Sequence, residues 1–393
     1  MESPFPSADS VRKFYSSSLS DLQGVPGRLI TEDNLSSLET SYNWAAPALD
    51  DALARVSSDQ SQGNWIDVLK ALATWGCLEY TSALIVSPFE VATALLQVQW
   101  VPKDLDRPTV VGVQSGGLVI APHAIRAGSA GSIWGMMRKL ASHEGFTALF
   151  KGSTASCLVE ILSTVSQPII FGLLDFVCEV AGAPVGNPSV DVALNVASHV
   201  LTGLLLSPLE LVRTRLIVYS SDPQLQPSSG LLDEFSQILR YEGGWKGMHF
   251  HPHLLIPALL DNTLRSVASV AIPLAIKTYV PRGLMSKVLC GSVTLLVTLP
   301  FETARRRLQL QVRGPGRSIA TSVQVRPVPY NGVVDTLWHI GTEERADLPL
   351  PPSGPEGETV RPYSGSTQFQ NRFPGFGQLY RGWGLSLLAS IVY

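Results

Sequence analysis

The stretch SPLELVRTRL, at residues 207–216, follows an apolar run and places a proline, a carboxylate and two arginines at fixed offsets. Two other stretches share this frame: SPFEVATALLQVQ at residues 87–99 and LPFETARRRLQLQ at residues 299–311. A proline inside a helix removes one backbone hydrogen bond and bends the helix. The three stretches therefore predict three bent helices, each of which carries charged side chains just beyond its apolar part.

A second, amphipathic stretch follows each copy, at residues 132–152, 231–247 and 330–344, and the third resumes at residues 375–382. A unit of helix, surface helix and helix that occurs three times predicts six spans with pseudo-threefold symmetry. Ten residues follow Trp383, which is enough for about 15 Å of helix. We therefore expect an all-α membrane protein, a bundle of three repeats and six helices with a short last helix.

The composition of the chain also favours a membrane protein. Charged residues make up 16% of the sequence, against roughly 25% in an average soluble protein. The apolar runs at residues 161–174, 192–209, 266–276 and 288–301 are each marginal as membrane spans, since a bilayer needs about 20 residues. Their recurrence suggests helices packed around a polar interior. A soluble α-helical protein with buried helices is the alternative.

Several classes of function are disfavoured by the residues present. The net charge of −3 argues against a nucleic-acid partner, because such proteins normally carry a basic surplus. The four cysteines have neither disulfide-scaffold density nor zinc spacing. The HFHPH stretch at residues 249–253 is interpreted as a polar loop at the membrane interface, with a metal site as the less favoured alternative. We expect no enzyme, no cofactor and no metal site.

Changes in composition divide the chain into four parts. Residues 1–62 contain 4 Lys/Arg against 9 Asp/Glu and predict a flexible acidic tail. Segments 101–130, 220–230 and 345–375 are rich in turn-forming residues and predict loops. The predicted parts are the tail at 1–62, repeat 1 at 63–183, repeat 2 at 184–281, and repeat 3 at 282–393 with a Pro/Gly-rich insert at 345–375.

The repeated pattern resembles the signature of the mitochondrial carrier family: Pro-x-Asp/Glu-x-x-Lys/Arg-x-Lys/Arg, then Asp/Glu-Gly, four residues, an aromatic residue, Lys/Arg and Gly. The resemblance covers residues 64–393. It implies a six-helix barrel, metabolites or nucleotides as substrates, and a ring of salt bridges that forms the gate on one side. The residues that carry the motif and the implied ring are Pro88, Glu90, Pro208, Glu210, Arg213, Arg215, Pro300, Glu302, Arg305 and Arg307.

The motif is degenerate in the first copy. Glu90 is present, but Thr93 and Leu95 occupy the two cationic positions, so the resemblance implies that one of three ring bridges lacks its cation. Asp261 and Arg265, four residues apart on the predicted fourth helix, are typical of an intramembrane ion pair, with a contact to substrate as the alternative.

The opposite gate of a carrier is similar to Phe/Tyr-Asp/Glu-x-x-Lys/Arg on each even-numbered helix, and here it is incomplete. On the second helix Asp175 is followed by Cys178 in the cationic position. On the fourth helix Lys277 is present, but Leu274 occupies the acidic position. Since alternating access needs two gates that close in turn, we expect no metabolite exchange.

The long polar tail, the degenerate motifs and the inserted loops resemble the carrier-like fusion factors of fungal mitochondrial outer membranes, and the carrier-like proteins of animal outer membranes nearly as well. The resemblance implies a multi-pass outer-membrane adaptor in mitochondrial fusion that does not transport. Its partners would be membrane lipid, a mitofusin-type GTPase and a dynamin-like fusion GTPase, and a homo-oligomer is left open. The alternative is a mitochondrial solute carrier of the inner membrane with an unidentified metabolite substrate.

Overall fold

A computed structural model of the protein describes residues 65–102, 118–125, 131–182, 188–222, 224–225, 230–280, 283–313, 319–345 and 374–392. The predicted acidic tail at residues 1–62 and most of the predicted insert at 345–375 lie outside the described residues.

Five long helices build the bundle, and all five are long and apolar enough to cross a membrane. They are α1 (Trp65–Val98), α3 (Ser153–Val180), α4 (Pro188–Val218), α7 (Pro252–Tyr279) and α8 (Leu284–Gln309). A shorter helix, α10 (Trp383–Val392), ends the described chain. The all-α, carrier-like fold is therefore confirmed. The helices exceed the apolar runs because their polar residues face the interior of the bundle, as at Asp261, which is 0% exposed.

Shorter helices lie between the long ones, in the place predicted for the surface helix of each repeat. They are α2 (Ile133–Glu144), α5 (Leu231–Tyr241), α6 (Gly244–His249) and α9 (Val333–Glu343), with 3-10 turns at Phe146–Phe150 and Phe376–Tyr380. The order of helix, surface helix and helix thus occurs three times. The HFHPH stretch is not a loop: His249 ends α6, and His253 lies within α7.

Three buried apolar clusters join the ends of α1, α4 and α8 to the surface helix of the same repeat. Leu95 of α1 packs in one cluster with Met136 and Leu140 of α2. Leu211 of α4 clusters with Ile238 of α5, and Leu308 of α8 clusters with Val333 of α9, in the same manner. The outer faces of the long helices instead carry exposed apolar side chains such as Ile85 and Ile169, as expected of surfaces that contact lipid.

A two-stranded sheet lies at this packed end, which the sequence did not predict. Strands β1 (Leu118–Ile125) and β2 (Ile319–Val323) pair in parallel, with a bulge between Ile120 and Ile125. Tyr219, directly after α4, forms an antiparallel bridge with Thr321. We call β1, β2 and Tyr219–Ser220 the clasp. The prediction that residues 101–130 form only a loop is wrong, because eight of them form a strand that pairs with a distant segment at four positions.

The two ends of the Pro/Gly-rich insert lie close together, so the third repeat continues as the sequence suggested. The Gly375 amide donates to the carbonyl of Gly341 over 3.2 Å, and the Gln378 side chain donates to the carbonyl of Arg345. The 3-10 turn at Phe376–Tyr380 then takes the place that Phe146–Phe150 has in the first repeat. The insert therefore interrupts the sequence of the repeat without separating its parts.

Candidate gate at one end of the bundle

The three motif prolines, Pro88, Pro208 and Pro300, lie inside α1, α4 and α8. In each helix the glutamate follows the proline by two residues, and the first cationic position lies three residues after the glutamate. A spacing of three keeps two side chains on one face of a helix. The motif therefore directs one acid of each repeat, and one cation of the second and third repeats, toward the centre of the bundle.

Two ion pairs connect neighbouring repeats at this level. Arg213 Nη2 of α4 lies 2.7 Å from Glu90 Oε1 of α1. Arg305 Nη1 of α8 lies 2.5 Å from Glu210 Oε2 of α4. The Ser156 hydroxyl of α3 donates to Glu90 Oε2 over 3.2 Å. These contacts neutralise charges inside an apolar bundle, where an unpaired charge would be costly.

Glu302, the acid of the third motif, pairs with two arginines that do not occupy the first cationic position of any motif. In the first motif that position holds Thr93. Arg265 Nη2 of α7 lies 3.3 Å from Glu302 Oε2, and Arg306 Nη2 lies 2.7 Å from Glu302 Oε1. Neither arginine comes from the first repeat, so among the described ring residues no ion pair joins the third repeat to the first, where Thr93 occupies the cationic position. Thr93 itself packs against Gly382, where an added Cβ would lie 2.6 Å from Thr93 Cγ2.

Asp261 and Arg265 lie within ion-pair distance of each other, as their spacing suggested, but each has a closer partner on another helix. Arg265 Nη2 is 3.8 Å from Asp261 Oδ2, which is farther than its distance to Glu302. Asp261 Oδ2 instead lies 3.2 Å from Arg305 Nε. A side chain on one helix can prefer a partner on another when the helices pack closely, so spacing within one helix does not fix the pair. Both residues lie in the same charged network as the motif residues, which we call the ring network.

Arg215 and Arg307, the last cations of the second and third motifs, form a separate buried layer rather than joining the ring. Arg215 Nη2 donates to Glu242 Oε2 over 2.8 Å. Arg307 Nη2 donates to Glu344 Oε2 over 3.0 Å. The placement of Arg215 and Arg307 in the ring is therefore corrected: the acid that each of them binds follows the surface helix of its own repeat.

The first repeat replaces this layer with a different pair, because Leu95 stands where the cation would be. Lys151 Nζ donates to Glu144 Oε2, to the Tyr219 carbonyl and to the Ser322 hydroxyl. The Ser221 hydroxyl also donates to Glu144 Oε2 over 2.8 Å. Glu144 is thus linked to the clasp through Lys151. The equivalent acids of the other repeats, Glu242 and Glu344, bind motif arginines instead.

Glu144 predicts an acid-sensitive contribution to stability. Burial alone would raise the pKa of the Glu144 carboxyl, but Lys151 and the Ser322 and Ser221 hydroxyls outweigh burial and hold this pKa below 4.5. A lowered pKa stabilises the fold above the unfolded value, and this stability disappears as pH falls through the folded value. We expect Glu144→Gln to flatten the fall in melting temperature below about pH 4.5.

The control for this prediction is Glu179→Gln, which removes the same charge from an exposed position on α3. Melting curves of the purified full chain between neutral and acidic pH would compare the two variants. If Glu144→Gln and wild type lose stability in parallel below pH 4.5, the Lys151 contact does not stabilise the fold.

The other end of the bundle shows no comparable network among the described side chains. Asp175 and Cys178 lie on α3, and no ion pair joins Asp175 to a cation in the described part of the chain. Lys277 lies on α7, but its side chain is outside the described residues. The described pairs at the bundle axis thus concentrate at the packed end.

The acids Glu144, Glu242 and Glu344 could have been found from the sequence. Glu144 and Glu242 are each followed by glycine, and Gly375 takes that place for Glu344 after the insert. The pairing of Arg265 with Glu302 carried no comparable sign in the sequence, because the two residues lie on different helices.

Residues 64–177 match the family model described as mitochondrial carrier protein. This segment covers α1, α2 and most of α3, which is one repeat of the bundle. No curated protein matches the sequence. Members of the matched family are generally transporters rather than enzymes, and the five apolar helices fit a mitochondrial membrane protein. The match covers the first repeat, and the order of helix, surface helix and helix recurs in the other two repeats of the bundle.

Proposed function

We propose that the protein carries a solute across a mitochondrial membrane and that the ring network is its gate. The observation that supports this proposal is the set of ion pairs between repeats, Glu90 with Arg213, Glu210 with Arg305, and Glu302 with Arg265. Each pair joins one repeat to a neighbour. The first pair joins repeats 1 and 2, and the other two join repeats 2 and 3. Moving repeat 2 away from its neighbours at this end would break all three pairs, which is the behaviour required of a gate.

A second candidate function is a membrane adaptor in mitochondrial fusion that does not transport. The clasp favours it, because opening this end must separate the segments that follow α1, α4 and α8. The Ser220 amide donates to the Ala320 carbonyl and the Trp100 amide to the Gln324 carbonyl, each over 2.9 Å. These bonds act in addition to the ring network. A bundle clamped in this way is suited to a fixed anchor.

In the adaptor proposal, the bundle anchors docking segments in the outer membrane. The acidic tail at residues 1–62 and the insert at 345–375 would bind a mitofusin-type GTPase and a dynamin-like GTPase, linking the two membranes. Polar, acidic segments can order on a partner and cover a large area. In the carrier proposal these segments are not required, and the inner membrane is the expected location.

Uptake by proteoliposomes tests the carrier proposal. The purified full chain is reconstituted and offered labelled phosphate, carboxylates, nucleotides and amino acids. We expect saturable uptake of at least one solute. Two variants distinguish an effect on the gate from an effect of losing any arginine. Arg213→Gln changes a residue of the ring network, and Arg240→Ala changes an exposed residue. We expect Arg213→Gln, but not Arg240→Ala, to lose solute uptake or to let the solute leak. If the wild-type protein takes up none of these solutes, the proposal is overturned.

Deleting residues 1–62 tests the adaptor proposal in cells. We expect the mitochondrial network to fragment and co-purification with the mitofusin-type GTPase to be lost, while protease protection shows that the bundle remains inserted. A normal network in the deletion strain, together with solute uptake by the reconstituted protein, would contradict the adaptor role.

A further inference from the structure

A second set of cations crosses between the repeats next to the ring network, and these cations bind backbone carbonyls of the neighbouring repeat. Arg307 Nη2 of the third repeat donates to the Gln99 carbonyl of the first over 3.2 Å. Arg215 Nη2 of the second repeat donates to the Gln311 carbonyl of the third over 3.3 Å. Gln99 and Gln311 each lie eleven residues after the proline of their own motif. The two arginines therefore make the same contact, each with the next repeat around the bundle.

The third contact of this kind comes from Lys151, although the first motif has no cation at the corresponding position. Leu95 stands there, where the other motifs have Arg215 and Arg307. Lys151 Nζ donates to the Tyr219 carbonyl over 2.5 Å, and Tyr219 lies eleven residues after the proline of the second motif. The lysine thus reaches from the first repeat to the second, at the acceptor position that the arginines use in the other repeats.

Lys151 is held in this position by groups from all three repeats. An ammonium group has three donors. Those of Lys151 bind Glu144 of the first repeat, the Tyr219 carbonyl of the second and the Ser322 hydroxyl of the third. Its side chain is 11% exposed. The two arginines are likewise buried, and each binds an acid of its own repeat as well as the carbonyl. The three cations thus have the same two kinds of partner.

The cations at the equivalent place after the other two surface helices do not make this contact. Lys246 of the second repeat is exposed. Arg381 Nη1 of the third repeat donates over 3.1 Å to the Leu96 carbonyl, which lies three residues before the acceptor position. Among these three described cations, Lys151 alone reaches the acceptor position, and it belongs to the repeat whose motif cation is replaced by Leu95.

This set of contacts closes the interface that the ring network leaves without an ion pair. Thr93 stands where the first motif would supply a cation to the third repeat. Arg307 crosses the same interface in the opposite direction, and its Nε donates to the Gln97 carbonyl over 2.9 Å in addition to the contact with Gln99. Arg306 Nη1 donates to Gln97 Oε1 over 2.7 Å beside it. All three interfaces between repeats therefore carry a contact from a cation to a carbonyl, whereas the ion pairs of the ring cross two.

We propose that Lys151 is a gate residue that replaces the missing cation of the first motif, and that Lys151, Arg215 and Arg307 form a second layer of the gate, the carbonyl latch. The inference deepens the carrier proposal, on which it rests for the opening of this end. Since each cation crosses one interface, opening must release all three from their carbonyls. Charge-assisted hydrogen bonds are roughly twice as strong as neutral ones, so the carbonyl latch adds to the closure that the ring network provides.

Hydrogen exchange of the purified full chain, followed by mass spectrometry, tests the carbonyl latch. The probe variant is Lys151→Met with Glu144→Gln, which removes the crossing contact without leaving an unpaired buried acid. We expect the Ser220 amide, next to the Tyr219 carbonyl, to exchange about tenfold faster or more, since a hydrogen bond to a charged group is lost. The Trp100 amide, at the interface between the third and first repeats, should exchange as in wild type.

Two further variants separate the carbonyl latch from a general loss of stability. Arg307→Leu with Glu344→Leu should give the reverse pattern, with faster exchange at the Trp100 amide and little change at the Ser220 amide. Lys246→Met removes a lysine from the equivalent, exposed position of the second repeat and should exchange like wild type at both amides. A variant that only loosens the whole fold would accelerate exchange at both amides together.

The outcomes also distinguish failure of the carbonyl latch from failure of the carrier proposal. Unchanged exchange at the Ser220 amide in the probe variant, or equal acceleration at both amides, overturns the latch. In the wild type, exchange at the Ser220 amide that is much faster than at the Trp100 amide overturns it without any variant. The expected exchange pattern without uptake of any solute would support the latch as a closure of this end and contradict transport. Wild-type uptake without leakage in the probe variant would support transport and contradict the latch as a gate.

Discussion

Arg307→Ala is expected to lower the thermal stability of the protein strongly. Arg307 is buried and donates to both oxygens of Glu344, to the Tyr330 hydroxyl over 2.9 Å and to the Gln97 carbonyl over 2.9 Å. Removing one partner of a buried pair typically costs about 3–5 kcal/mol, because the other charge stays in an apolar environment. Burial raises the pKa of the Glu344 carboxyl against the effect of Arg307, as expected of a site that disfavours an unpaired carboxylate.

Melting temperatures of the purified chain measure this effect, with Arg240→Ala as the control. Arg240 lies at the exposed end of α5, and surface substitutions usually change stability by less than about 0.5 kcal/mol. The double variant Arg307→Leu with Glu344→Leu should lose less than Arg307→Ala, because no charge is then left buried. Equal melting temperatures for Arg307→Ala and Arg240→Ala would show that this buried layer does not hold the third repeat together.

The sequence predicted the parts of the fold that depend on local spacing. The three prolines with their acids and arginines indicated three long helices that carry charge on one face, and the helices α1, α4 and α8 contain them. The surface helix of each repeat and the short last helix also followed from periodicity and length. Local pattern is sufficient there, because the direction of a helical side chain follows from its position in the turn.

The parts that the sequence did not predict depend on contacts between distant segments. Strands β1 and β2 come from different repeats, and each is too short to be distinguished from a loop by its own pattern. Arg265 binds Glu302, which is 37 residues away, whereas its spacing pointed to Asp261. The missing cation at Thr93 could be counted in the sequence, but the contact of Arg265 with Glu302 could be found only from the packing of α7 against α8.

Arg305→Ala should destabilise the ring network more than any other single change in it. Arg305 is 9% exposed and contacts two acids, Glu210 at 2.5 Å and Asp261 at 3.2 Å. Asp261 is fully buried, so Arg305→Ala leaves this acid in the interior without its nearest cation. The variant also removes the cation that pairs with Glu210. We expect a loss within the range of about 3–5 kcal/mol seen for broken buried pairs. The melting temperature of the full chain measures it.

Arg265→Ala is the comparison variant, since its side chain is 45% exposed and Glu302 keeps Arg306 at 2.7 Å. Its melting temperature should fall less than that of Arg305→Ala. Adding Asp261→Asn to Arg305→Ala should recover part of the loss, because the buried carboxylate is then neutral. A melting temperature for Arg305→Ala equal to that of wild type would mean that the ring network is not formed in the protein, and the gate proposed for this end of the bundle would lose its basis.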